Sequence, residues 1–80
     1  MVTAVDKYVI ARIKEMRIEQ GITQPALANA LDLSYGFIGK IESGKYGKKY
    51  SVAQLNELAT LFGCSPRDFL PERPLKKDKK

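Results

Sequence analysis

Eighty residues with 44% hydrophobic content can bury one modest core, which excludes several domains within these residues and argues against wholesale disorder. Fourteen Lys and Arg against nine Asp and Glu leave a net charge of +5, a balance that favours polyanionic partners, nucleic acid or an anionic membrane surface. A single cysteine, Cys64, and the absence of histidine exclude an internal disulfide, a zinc set and a Ser-His-Asp triad. No apolar run approaches the roughly 20 residues of a membrane span, and Asp6 lies where a signal peptide would be apolar, so a cytoplasmic protein without membrane contact is expected.

The first element is expected over about residues 5–20. Val9, Ile10, Ile13 and Met16 recur at steps of three and four with charged residues between them, the pattern of an amphipathic helix, and Gly21 stops it. Thr23 then caps a short helix that tolerates Pro25 in its first turn, where the missing N–H would have no partner anyway. Leu27, Ala28 and Leu31 form the inner face of that helix. After a turn at Asp32 and Leu33, Ser34 is expected to cap a third helix running to Ser43, with Ile38 and Ile41 inward and Gly44 as its stop.

Residues 45–50, KYGKKY, have no periodicity and read as an exposed basic loop. Ser51 and Gln54 make a capping box for a fourth helix with the stripe Val52, Leu55, Leu58, Ala59 and Phe62, ending at Gly63. Ser65 and Pro66 open a last short helix containing Phe69 and Leu70, and Pro71 ends it. The expectation is therefore an all-α, five-helix domain over residues 1–72 with a basic flexible tail at 73–80.

Two short helices joined by a turn of about three residues and buttressed by helices on either side form a helix-turn-helix arrangement. The segment ARIKEMRIEQGITQPALANALDLSYGFIGKIESGK resembles the DNA-binding domain of the Cro and phage-repressor group, also called the xenobiotic-response-element family. Its landmarks are Arg17, Gly21 with Ile22, Thr23 with Gln24, Leu27 with Ala28, Ile38, and the run from Ile41 through Glu42 and Ser43 to Gly44. The resemblance, which spans about residues 10–70, implies a lambda-repressor-like fold whose third helix enters the major groove of double-stranded DNA.

By that resemblance Ser34, Tyr35, Gly36 and Phe37 open the recognition helix, with Tyr35 and Gly36 at base edges. Lys40 follows one turn later as the principal reader, since an ammonium can donate to guanine O6 and N7. Gln24 braces the recognition helix and meets a phosphate at a helix N-terminus, while Lys45, Tyr46, Lys48 and Lys49 hold the DNA backbone. Phe37 is expected at the edge of the core rather than against a base. Arg17 and Glu42 are expected to pair. Gly36 and Gly39, each costing up to about 1 kcal/mol inside a helix, call for close packing against DNA or a neighbouring helix.

No catalytic residue, metal or cofactor is expected, because the carboxylates are scattered and GKYGKK lacks the spacing of a phosphate-binding loop. The expected function is a sequence-specific transcription regulator, a repressor or controller, that binds a palindromic operator as a homodimer. Phe69 and Leu70, with Phe62 and Leu75 beside them, are expected at the dimer interface. The alternative is a protein-interaction module or antitoxin subunit, whose main partner is another protein such as a toxin.

Overall fold

The computed structural model describes residues 2–76 of the chain. Of the tail expected at 73–80, residues 77–80 lie outside the described residues. Helix α1, Ala4–Glu19, starts at a capping box in which the Thr3 hydroxyl accepts from the Asp6 N–H and the Asp6 carboxylate accepts from the Thr3 N–H. It buries Val9, Ile10, Ile13 and Met16, the residues whose spacing marks the helix. Helix α2, Gln24–Ala30, is capped by Thr23, whose hydroxyl accepts from the Ala26 N–H.

The turn that follows is longer than expected, and the Ser34 cap is not formed. Asp32 takes φ 56°, the left-handed region that Asp tolerates through its short polar side chain. Leu33 N–H then closes onto the Ala28 carbonyl at 2.8 Å. The Ser34 carbonyl accepts from the Phe37 N–H at 3.1 Å, so residues 34–36 form a turn of their own. Helix α3 is therefore only Phe37–Ser43, with Gly36 at its cap position and no side chain satisfying the first N–H groups. Glycine is among the costlier residues in a helix interior, and a boundary at Gly36 leaves Gly39 as the only glycine within α3. Gly44, at φ 72°, ends α3 in a left-handed turn.

Helix α4, Val52–Phe62, has the expected Ser51 and Gln54 capping box and ends at Gly63, φ 71°. The fifth helix is instead a single 3-10 turn, Pro66–Phe69, capped by Ser65 with Asp68. Four α-helices and this turn surround one core in which Ile13, Leu27, Ile38, Ile41, Leu58 and Phe69 are completely buried. Every helix contributes to that list, so no single amphipathic face holds the fold without its neighbours. Phe62 and Phe69 meet edge to face, ring centres 5.9 Å apart.

Two residues fall on the opposite side of the surface from their sequence pattern. Val52, the first residue of the α4 stripe, is 83% exposed because at the helix start no facing element reaches it. Tyr50, assigned to the exposed loop, is buried where the chain turns back into α4, in a groove with Val9, Ile10 and Leu55. Its hydroxyl is buried without a hydrogen-bond partner, and burial pushes its pKa well above the usual phenol value.

Candidate nucleic-acid interface

Helices α2 and α3 are locked to each other and to α1 by one buried carboxylate. Glu42, near the end of α3, accepts from Arg17 Nε at 2.8 Å and Nη2 at 3.1 Å, and from Gln24 Nε2 at 2.9 Å. Arg17 Nη1 donates to the Ile22 carbonyl at 2.7 Å, which ties the α1 to α2 connection into the same network. The side chains of Arg17 and Glu42 are 11% and 4% exposed. A bidentate guanidinium and carboxylate in that setting are satisfied by each other and by flanking amide groups rather than by water.

Gln24 thus donates one amide N–H to α3, and it sits against Gly39. A Cβ built at Gly39 would lie 3.5 Å from Gln24 Oε1, so Gly39 faces the neighbouring helix at ordinary van der Waals distance. Gly36 has nothing within 4 Å of such a Cβ and carries no packing constraint.

With Glu42 neutralised internally, the segment 34–50 presents only positive charge, because its remaining charged residues are Lys40, Lys45, Lys48 and Lys49. Tyr35, in the turn before α3, is 79% exposed, and Ser34, Gly36, Lys40, Lys45, Tyr46 and Lys48 are exposed with it. Phe37 is half-buried against the core. Lys49 is set apart from this group: its ammonium lies 3.4 Å from the Asp6 carboxylate at the start of α1.

The helix-turn-helix family model matches residues 13–69, from the middle of α1 to the end of the 3-10 turn. The chain belongs to the helix-turn-helix family of DNA-binding regulators. Among solved structures, the restriction-modification controller protein C.AhdI from Aeromonas hydrophila is similar over 81% of this chain and 94% of its own, with 28% identity and TM-score 0.65. A hypothetical transcription factor, NHTF, from Neisseria matches at 15% identity and TM-score 0.69 over 84% of this chain and 75% of that one. Part of hydroxypropylphosphonic acid epoxidase from S. wedmorenis has the same fold, at TM-score 0.71 and 22% identity, over 85% of this chain but only 35% of the enzyme. No curated protein matches the sequence.

Within this helix-turn-helix chain the expected interface residues divide. Phe69 is fully buried and Phe62 is 8% exposed, so both close the protein's own core and offer almost no surface for pairing. A four-residue 3-10 turn brings Phe69 onto α1 and α4 as no sequence periodicity indicates. Leu70 and Leu75 remain 44% and 43% exposed. They line one shallow surface hollow together with Val5 of α1. The pairing of Asp6 with Lys49 and the inward turn of Tyr50 were not anticipated. The Thr3 and Asp6 capping pattern at the N-terminus was the readable signal for the first, since it fixes Asp6 in an ordered first turn.

No helix among the described residues is long and apolar enough to cross a membrane.

Proposed function

We propose that the chain is a sequence-specific transcription regulator, a repressor or controller, that inserts α3 into the major groove of double-stranded DNA. The observation that carries this reading is the wholly cationic surface of the segment 34–50, displayed by a helix whose one carboxylate is neutralised from behind. Tyr35 and Lys40 face base edges, Lys40 as the donor to guanine. Lys45, Tyr46 and Lys48 meet phosphates and set the register. Lys49, engaged with Asp6, contributes less to the DNA contact than the other three loop positions.

The working unit is a homodimer on a palindromic site. One recognition helix reads too few base pairs to stand out against competing genomic DNA, and two copies multiply the discrimination. The pairing face is Leu70 and Leu75 with Val5 and Val52, exposed apolar residues that border a continuous pair of hollows at the N-terminal end of α1. Paired helices reach successive major grooves about 34 Å apart, with half-sites about 10 base pairs centre to centre. The likeness to a restriction-modification controller supports the controller form of this reading.

The test is a titration with random-sequence duplex at low salt, followed by sedimentation with and without a selected operator. Binding, and a dimer that Leu70→Asp dissociates while leaving the helical content intact, support the reading. Failure to bind any duplex at low salt overturns it in favour of a protein-binding module such as an antitoxin subunit.

A further inference from the structure

Two aromatic rings hold two of the interface lysines. The Lys40 ammonium lies 5.6 Å from the centre of the Tyr46 ring, and the Lys48 ammonium lies 5.9 Å from the centre of the Phe37 ring. Each pair joins a residue of α3 to one of the loop that follows it, so that loop folds back along α3 instead of leaving it. Gly44 at φ 72° and Gly47 at φ 66° supply the two left-handed positions that reverse the chain. The Ser43 hydroxyl fastens the reversal by donating to the Lys40 carbonyl at 2.9 Å and accepting from the Lys45 N–H at 3.3 Å.

Phe37 can hold a cation because its own position is set: it opens α3 and packs against the core. Tyr46 is 58% exposed and is not among the residues packed against the core, so core packing does not account for its position. An ammonium has three donor hydrogens and no acceptor, and the face of a ring attracts it without occupying those donors one by one. A lysine held this way keeps N–H groups free for guanine O6 and N7 while losing part of its rotamer freedom before DNA arrives.

We propose that Tyr46 is a positioning residue for sequence readout: its ring holds the Lys40 ammonium over α3 in the orientation that meets a base edge. Phe37 holds Lys48 in the same way for its phosphate contact. This rests on the reading that α3 enters the major groove. A cation held over a ring at an exposed site is worth about 0.5–1 kcal/mol, which favours the held orientation of Lys40 about two- to fivefold and sets the scale of the readout effect.

The test compares wild type, Tyr46→Phe and Tyr46→Leu in two measurements. In the free protein, NMR should show the Lys40 ε-methylene protons shifted upfield by the ring in wild type and Tyr46→Phe, and restored to ordinary values in Tyr46→Leu. In selection from a pool of randomised DNA duplexes, wild type and Tyr46→Phe should enrich the same motif, while Tyr46→Leu relaxes one or two positions about two- to fivefold. Tyr46→Leu should relax the motif no further in a Lys40→Ala background. An unshifted Lys40 in wild type, an unchanged motif in Tyr46→Leu, or an additive double variant overturns the proposal. So does an equal relaxation of the motif in Tyr46→Phe, which would place the readout in the hydroxyl rather than in the ring. A shifted Lys40 in a protein that enriches no motif overturns the readout together with the sequence-specific reading, and the intact shift then locates the failure in the function.

Discussion

Replacing Glu42 by alanine removes the acceptor for three hydrogen bonds at once and leaves the Arg17 guanidinium, 11% exposed, facing the Gln24 amide. Arg17 keeps its bond to the Ile22 carbonyl but loses its counter-charge. Breaking a buried pair from one side costs about 3–5 kcal/mol, because the guanidinium that stays behind keeps its charge with no counter-charge and little access to water. A domain of this size has a total stability of about 4–12 kcal/mol, so the variant should lose a quarter of it or more. The melting temperature, followed by far-UV circular dichroism, should fall by more than about 10 °C, with urea unfolding giving the free energy. Arg17→Met combined with Glu42→Leu should recover most of the loss, since an apolar pair of similar volume carries no stranded charge. A loss below about 1 kcal/mol for Glu42→Ala would mean that the pair behaves as a solvent-exposed one, and the reasoning from burial would be refuted.

Tyr50→Phe should leave stability unchanged or raise it by up to about 1–3 kcal/mol in urea unfolding, because it removes a buried hydroxyl that has no partner. Gly39→Ala should stabilise the protein by about 0.5–1 kcal/mol by the same measurement, since the added methyl meets Gln24 at ordinary distance and the helix gains propensity. Lys48→Ala should weaken binding to all duplexes alike and reduce the slope of log affinity against log salt by about one, as read by fluorescence anisotropy. The Asp6 carboxyl is held below its usual pKa, chiefly by the Thr3 backbone N–H, and also by the Thr3 hydroxyl and Lys49. A lowered folded-state value stabilises the fold above the ordinary pKa of about 3.9 and loses that contribution as the pH falls through the folded value. The stability gap between wild type and Asp6→Asn should therefore be widest near neutral pH and close in acid, which unfolding curves across that range will check.

The helices of this protein are local statements. Apolar residues at steps of three and four place the buried face of α1 at Val9, Ile10, Ile13 and Met16, and oxygen-bearing caps at Thr23, Ser51 and Ser65 begin three elements where their side chains can satisfy orphan N–H groups. Ser34 offered the same signal and did not act on it. Whether a serine caps depends on where the following residues must point, and with Ile38 and Ile41 in the core the chain instead makes a turn at 34–36 and starts α3 at Phe37. The landmark residues Arg17, Gln24 and Glu42 are visible in sequence as separate polar positions. Their meeting around one carboxylate is a property of three helices packed together.

The same division governs the surface. The excess of lysine over residues 34–50 is written in the composition, and so is the prospect of a polyanionic partner. Which lysines stand together is not, because Lys49 turns to Asp6 while Lys40 and Lys48 turn to rings, choices made by where a loop folds back in space. Tyr50, Val52 and Phe69 make the point for burial. Periodicity assigns a residue to a face of its own helix, but only the neighbouring elements decide whether anything covers that face, and at the ends of helices and in short turns they override the pattern.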